Sequence, residues 1–269
     1  MSMQPSIENL EPSQRRQLRR ERLKRKRIKR KRLQKKLIFF AVSVLTLFFF
    51  RSVMIHSGFI GKESGTSHVF EDLWDLNDDL LGTVMLDAGH GGNDCGTDAG
   101  AILEKELNLQ ITLKIQKKLE KKGVRVFMTR NDDTYLSRDA RVAMAKKENP
   151  DLFISIHQNS FTDSSVRGMG IWYNEKKTIG GEESYILAKK IEEKIAADTQ
   201  IISRGIVADT DLQVLRQTEV AAVLIEIGYV TNPEDWKLIV SDEYQERAAE
   251  RITEAAVAYL MQQNGDELV

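Results

Sequence analysis

The stretch VMLDAGHGGNDCGTDAG, residues 84–100, runs from an apolar, strand-like segment straight into a glycine-rich turn. It contains five glycines, three aspartates, His90 and the only cysteine of the chain, Cys95. A turn of this kind after a strand can cradle a phosphate group or present a metal ligand. Its glycines match neither the G-x-G-x-x-G pattern nor the Gly-Lys-Ser/Thr ending of nucleotide-binding loops. The stretch therefore favours a metal ligand at the end of a strand.

Beyond this turn the chain alternates between strand-like and helix-like segments. Such alternation predicts a single α/β domain whose twisted, largely parallel central sheet of about six strands is covered by helices on both faces. Sheets of this type place ligands at the carboxyl ends of their strands. The segments predicted as strands are 83–88, 124–129, 151–157, 168–174 and 221–230, and those predicted as helices are 104–123, 137–150, 182–198 and 242–263.

Charge is distributed unevenly along a chain whose formal net charge is zero. Residues 1–36 hold fifteen Lys and Arg against three Glu, whereas residues 52–269 hold 24 basic and 37 acidic residues, a net charge of 24 − 37 = −13. A basic block alone can indicate nucleic-acid binding. Beside a hydrophobic segment it favours a basic cytoplasmic tail attracted to anionic lipid, and we expect no nucleic-acid partner.

The hydrophobic segment LIFFAVSVLTLFFF, residues 37–50, contains no charged side chain. A membrane span needs about 20 apolar residues, and residues 37–55 approach that length if Arg51 snorkels toward the headgroups. We therefore predict an uncleaved, single-pass transmembrane signal-anchor in the cell membrane, with the acidic bulk of the chain extracytoplasmic. A cleaved signal peptide, which would give a secreted form, is the alternative. Residues 56–81 are then an extracytoplasmic linker, and residues 82–265 form the folded domain.

Two histidines of the predicted domain follow strands. His90 comes just after segment 83–88, and His157 ends segment 151–157. Because the carboxyl ends of parallel strands lie at one edge of a sheet, both side chains are expected to point into the same crevice. A lone histidine is usually structural, but two at equivalent positions, with no other histidine in the domain, favour metal binding.

A glutamate near the start of segment 104–123 is the third candidate ligand. At 100° per residue the apolar residues of this segment form one stripe, and Glu104 falls at the centre of that stripe in the first turn. Helix capping explains an acid on the solvent side, such as Glu106. A carboxylate on a buried stripe needs a partner, because burying its charge alone is very costly. A metal ion would satisfy Glu104.

The fourth candidate, Glu226, lies between apolar residues in VLIEIGYV. Burial of this kind raises the pKa of a carboxylate, as a general base or acid near neutrality requires. The alternative is a buried glutamate paired with Arg130 or Arg216. Two histidines and one glutamate with an open fourth position are a recognised catalytic zinc arrangement. With Glu226 moving the proton to the leaving nitrogen, the residues indicate metal-assisted amide hydrolysis.

Four blocks carry a resemblance to a known family: LDAGHGGNDCGTDAG, LEKELNL, DLFISIHQNS and VLIEIGYVTNPED. In this order and spacing they resemble the zinc-dependent N-acetylmuramoyl-L-alanine amidases of type 3, which are bacterial cell-wall hydrolases. The resemblance covers residues from about 82 to 260. It implies that His90, Glu104 and His157 bind one Zn²⁺ ion and that Glu226 is catalytic. It also implies that the partner is peptidoglycan, cleaved between N-acetylmuramic acid and the L-alanine of the stem peptide.

Five further residues are candidates for lesser roles. Asn159 falls where the family usually has asparagine, so we expect it to orient the site or contact substrate. Asp87 and Asp94 are candidates for supporting the ring of His90, and Arg216 for substrate binding or for support of the site. Cys95 stands where the family usually has proline, so a small buried filler is expected, with a thiolate reaching the metal as the alternative.

Two other functions fit the same ligand set. The first is a zinc peptidase acting on stem peptides, and the second is a non-catalytic wall-binding protein. A non-catalytic protein is expected to have lost a ligand or the catalytic glutamate, and all four are present. The amidase is therefore the favoured prediction, and the oligomeric state is left open.

Overall fold

The computed structural model describes residues 80–97, 102–176 and 180–264. The predicted basic tail, the predicted signal-anchor and all but the last two residues of the predicted linker lie outside these ranges. Within the three ranges, no helix is both long enough and apolar enough to cross a membrane.

The centre of the described domain is one sheet of six strands. They are β1 (Gly82–Ala88), β2 (Val124–Met128), β3 (Leu152–Asn159), β4 (Met169–Tyr173), β5 (Ser203–Ala208) and β6 (Ala221–Tyr229). The strand order is β2-β1-β3-β6-β4-β5, and the first four of these are parallel. Strand β4 runs antiparallel to β6 and parallel to β5. The predicted α/β class, with a largely parallel sheet of about six strands, is confirmed.

Helices cover both faces of this sheet. They are α1 (Glu104–Lys121), α2 (Arg138–Glu148), α3 (Gly181–Ala196), α4 (Gln213–Gln217), α5 (Pro233–Ile239) and α6 (Asp242–Asn264). Strand side chains alternate between the two faces. Ile154 and Ile225 therefore belong to the core under α1, α3 and α6, whereas Phe153 and Leu224 pack with α2 and α4. The short helices α4 and α5 have too few turns to show a periodic pattern, and the sequence did not predict them.

Strand β5 is the other element that the sequence did not identify. It lies at one edge of the sheet, and its side chains are half-buried or exposed. An edge position of this kind needs neither a continuous apolar run nor strict alternation. The central strands β3 and β6 are almost fully buried, which explains why their apolar runs were visible in the sequence.

Helix α1 ends two residues earlier than the predicted segment. Its last helical residue is Lys121, and Gly123 follows with φ of 73°, in the left-handed region that glycine tolerates best. The N–H of Gly123 donates to the carbonyl of Glu120, which closes the last turn. Four apolar side chains of α1 are fully buried, and each such burial contributes about 1.5–3 kcal/mol. This packing fixes the helix against the sheet.

Candidate metal centre

Three side chains converge at the carboxyl ends of β1 and β3. His90 lies in the turn after β1, Glu104 begins α1, and His157 lies near the end of β3. The Nε2 atom of His90 and the Nδ1 atom of His157 lie 3.2 and 3.1 Å from one oxygen, Oε1 of Glu104. Ligand atoms around a tetrahedral zinc ion are about 3.3 Å apart. The two distances to Oε1 match that spacing, all three ligand atoms lie within 4.8 Å of one another, and two imidazoles with a carboxylate are a donor set that zinc accepts.

The turn after β1 aims His90 at this cluster. His90 and Gly91 have φ of 62° and 134°, and Gly91 and Asp94 exchange two backbone hydrogen bonds across the turn. Oδ1 of Asp94 lies 2.9 Å from Nδ1 of His90, in contact but without the alignment of a hydrogen bond. Burial alone would lower the pKa of His90, but the carboxylates of Glu104 and Asp94 raise it overall. Asp94 is thus the aspartate that contacts the ring.

Contrary to the prediction, Asp87 does not contact the ring of His90 but is bonded to three other side chains. The hydroxyls of Thr129 and Ser155 each donate to its carboxylate at 2.7 Å, and Arg141 forms a 2.5 Å ion pair with it. Arg141 also donates to the carbonyl of His90 at 2.8 Å. Burial alone would raise the pKa of Asp87, but the charge of Arg141 and these hydrogen bonds lower it. Asp87 therefore supports the backbone of the His90 turn through Arg141, and its described bonds do not include the ring.

Glu104 is buried at the centre of the apolar stripe, with 2% of its surface exposed. The N–H of Thr97 donates to its Oε2 at 2.8 Å. Burial alone would raise the pKa of Glu104, but hydrogen bonds and charges from the two histidines hold it well below its usual range. The acid that caps the helix is the exposed Glu106, whose Oε2 accepts a hydrogen bond from the N–H of Leu103 at 3.3 Å. Glu104 is therefore an ionised side chain available as a ligand.

Glu226 lies beside the cluster because it is the paired neighbour of His157 across β6 and β3. Side chains of paired residues point to the same face of a sheet. Its Oε2 atom is buried and has no hydrogen-bond partner among the described residues. Burial raises the pKa of Glu226 to about 7, with a lowering contribution from His157 and a raising one from Glu104. Arg130, the first alternative partner, donates instead to four backbone carbonyls.

The remaining candidates lie at different distances from the cluster. Asn159 ends β3, past an irregularity in its pairing with β6, and its Oδ1 accepts from the N–H of Ser160 at 2.8 Å. Arg216 is exposed on α4, and the hydrogen bonds and ion pairs of the described residues include none between its side chain and the four proposed site residues. Cys95 is partly exposed and lies outside the ligand cluster. It is therefore not the buried filler that the sequence predicted.

Residues 84–258 match the family model described as N-acetylmuramoyl-L-alanine amidase. The chain belongs to this amidase family. The amidase is 35% identical over 177 residues to the uncharacterized protein YqiI of Bacillus subtilis, covering 66% of this chain and 84% of YqiI. It is 33% identical over 177 residues to the N-acetylmuramoyl-L-alanine amidase LytC of the same organism, again over 66% of this chain, but spans only 35% of LytC. The solved structure of an N-acetylmuramoyl-L-alanine amidase from Clostridium difficile 630 aligns with a TM-score of 0.62 and 37% identity, covering 66% of this chain and 96% of that structure.

The family match confirms the prediction of an N-acetylmuramoyl-L-alanine amidase. The amidase is accordingly a hydrolase of peptidoglycan amide bonds. Neither a stem-peptide peptidase nor a non-catalytic wall-binding protein is favoured by these relatives.

Three residues that contact the site were not identified from the sequence of the amidase. Arg141, Asn108 and Gln158 are buried and hydrogen-bonded to the site or to its backbone. Asn108 carried a usable signal: at 100° per residue it lies about 40° from Glu104 on the helix, within the same buried stripe. No local sequence pattern indicated a role for Arg141 or Gln158, because their partners are distant in sequence.

The raised pKa of Glu226 makes the stability of the metal-free amidase depend on pH. We expect Glu226→Gln to stabilise it at pH 8 by about 2 kcal/mol, because folding at that pH buries a charged carboxylate. The full shift in the pKa of Glu226, from 4.5 to about 7, sets an upper bound of about 3 kcal/mol on this gain in the free energy of unfolding. Partial exposure of the side chain makes the gain smaller than that bound. The difference should shrink as the pH falls below 7 and vanish below 4.5, where Glu226 is protonated in both the folded and the unfolded chain.

Denaturant melts of the two proteins in excess chelator at pH 8 and pH 5 measure this difference. An equal gain at both pH values would contradict the raised pKa, because a change in packing alone does not depend on pH.

Proposed function

We propose that this amidase uses one Zn²⁺ ion held by His90, Glu104 and His157, with Glu226 as the general base and acid. The bond cleaved is the amide between N-acetylmuramic acid and the L-alanine of the stem peptide. The observation that carries the proposal is the convergence of two ring nitrogens on one oxygen of Glu104, with Glu226 in register beside His157. When bound, zinc lowers the pKa of water and polarises a carbonyl group.

The protein's own contribution to the reaction is a proton transfer at Oε2 of Glu226. Its carboxylate accepts a proton from the attacking water. Its acid form then donates that proton to the nitrogen of L-alanine as the C–N bond breaks. The products are a carboxyl group on the lactyl arm of the sugar and a free amino group on the stem peptide. A group that accepts and returns a proton works best with a pKa near the working pH, and burial raises the pKa of Glu226 toward that range.

The other site residues hold this arrangement or meet the substrate. Asp94 steadies the ring of His90, while Asp87 and Arg141 hold the backbone of its turn. Outer contacts of this kind help to fix the orientation of a metal-binding histidine. We propose that Asn159, at the end of β3 beyond His157, contacts the substrate.

Digestion of purified peptidoglycan with and without a chelator tests the proposed function. We expect mass spectrometry to find intact glycan strands and stem peptides with free L-alanine amino termini. A chelator should abolish their release, and added Zn²⁺ should restore it. Shortened stems still attached to muramic acid would instead indicate a peptidase, and unchanged release in the chelator would contradict the metal mechanism.

We also propose that residues 37–55 anchor the amidase in the cell membrane as a single-pass signal-anchor, with the catalytic domain, residues 82–265, on the cell-wall side. The uncharged segment 37–50 and the fifteen basic residues before it support this topology. A variant lacking residues 1–55 should move from the membrane fraction to the soluble fraction of the producing cell. If its distribution is unchanged, the anchor proposal fails.

A further inference from the structure

Two buried amide side chains lie behind Glu104, between helix α1 and strand β3. Asn108 is 0% exposed and Gln158 is 3% exposed. The Nδ2 group of Asn108 donates to Oε1 of Glu104 at 3.3 Å, and the backbone N–H of Gln158 donates to the same oxygen at 3.1 Å. Both residues therefore hold the oxygen on which the two histidine nitrogens also converge.

Asn108 contacts the chain beside each proposed ligand. Besides Glu104 itself, its Nδ2 donates to the carbonyl of Gly89, the residue before His90, at 3.2 Å. Its Oδ1 accepts from Nε2 of Gln158, the residue after His157, at 3.1 Å. One buried amide thus links the three segments that carry the ligands.

The two acceptors beside Asn108 set which way its amide faces. Its Nδ2 group points toward Glu104 and the carbonyl of Gly89, and its Oδ1 is left to accept from Nε2 of Gln158, which holds the amide in this orientation. In the flipped orientation, Oδ1 of Asn108 would face a carboxylate and a carbonyl, three acceptors with no proton between them. Buried polar groups left unpaired in this way are strongly disfavoured.

We propose that Asn108 and Gln158 are positioning residues that fix the carboxylate of Glu104 in its ligand orientation before the metal arrives. This inference rests on the proposed function, in which Glu104 is a zinc ligand. A purely structural role, a tie between α1 and β3, would affect the folding of the protein without affecting zinc affinity. The two roles therefore differ in what the zinc dissociation constant does.

The test is the zinc affinity of Asn108→Leu in the full-length chain, measured with Zn²⁺ alone by competition with a chromophoric chelator. Leucine keeps the shape of asparagine and removes its donors, so we expect zinc affinity about 10–100-fold weaker. Thr112→Val is the matched control: it removes a buried hydroxyl one turn further along α1, whose 2.6 Å bond goes to the carbonyl of Asn108. It should lower the melting temperature of the metal-free protein at unchanged zinc affinity.

Gln158→Met supplies a second variant should Asn108→Leu fail to fold. It keeps the length of the side chain and removes the amide, so zinc affinity should fall by about tenfold. Because Gln158 acts through Asn108, the double variant should bind zinc no more weakly than Asn108→Leu alone.

Three outcomes would overturn the inference in distinguishable ways. Unchanged zinc affinity in a folded Asn108→Leu or Gln158→Met would overturn the positioning role and leave the proposed function standing. Multiplying losses in the double variant would overturn the link between the two amides. Failure of the unaltered chain to bind Zn²⁺ would overturn the proposed function and this inference together.

Discussion

Glu226→Gln is expected to lower the rate of amide hydrolysis by about 10²–10⁴-fold, the usual contribution of a positioned general base, without loss of bound zinc. Glutamine fills the same space but cannot accept a proton from water. Glu226 is not one of the three clustered ligands, so metal content should not change. Release of L-alanine amino termini from purified walls measures the rate, and elemental analysis measures the zinc.

The pH profile separates loss of a base from general damage to the site. Only the carboxylate form of Glu226 accepts a proton, and burial raises its pKa to about 7 in the metal-free protein. In the zinc-loaded enzyme kcat/KM should fall as the pH is lowered through the pKa of Glu226, which the positive charge of a neighbouring metal ion shifts below that value. The residual activity of Glu226→Gln should not show this fall in kcat/KM at low pH.

Glu219→Gln is the matched control for this variant. Glu219 is exposed just before β6, and its described charge partner, Lys146, is 3.9 Å away. We expect this change to leave activity and pH profile unaltered. If Glu226→Gln keeps the activity of the control, Glu226 is not the base and the proposed mechanism is wrong.

The four central site residues could be located from local sequence patterns, namely helical periodicity, the ends of strand-like segments and apolar neighbours. The helical wheel placed Glu104 on the buried stripe, and the structure buries it while exposing Glu106. His157 ended an apolar run and Glu226 interrupted one, and the two residues are register partners on adjacent strands. Periods of 3.6 and 2 are properties of a single element, so one sequence is enough to reveal them.

Contacts that depend on register between distant elements could not be predicted in the same way. The sequence offered Asp87 and Asp94 as equal candidates for the ring of His90. Only the pairing of β1 with β3 shows that Asp87 faces Ser155, and only the packing of α2 shows that it meets Arg141. The antiparallel direction of β4 and the presence of β5 escaped for a related reason, since both are set by tertiary packing at one side of the sheet.

Gly89→Ala is expected to weaken zinc binding by about 100-fold or more and to reduce activity at least as much. A Cβ atom at position 89 would lie 2.2 Å from Cε1 and 2.3 Å from Nε2 of His157, so the ring or the turn must move. The turn is held firmly: the N–H of Gly89 donates to the carbonyl of Ile156, and its carbonyl accepts from Asn108 and Arg130. The ring of His157 must therefore yield, which moves a proposed ligand away from the metal, and a displacement of about 1 Å at a reacting centre can lower the rate by about 100-fold.

Gly205→Ala separates loss of the metal site from loss of stability. Gly205 lies on edge strand β5 with φ of 81°, and no atom lies within 4 Å of its missing Cβ. Alanine there pays about 1–2 kcal/mol for the left-handed backbone, close to the 1–3 kcal/mol typical of overpacking at Gly89. Both variants should have a lower melting temperature than the unaltered chain in the metal-free state, but only Gly89→Ala should bind zinc more weakly. If Gly89→Ala and Gly205→Ala bind zinc equally well, a Cβ atom at position 89 does not disturb His157, and this prediction is wrong.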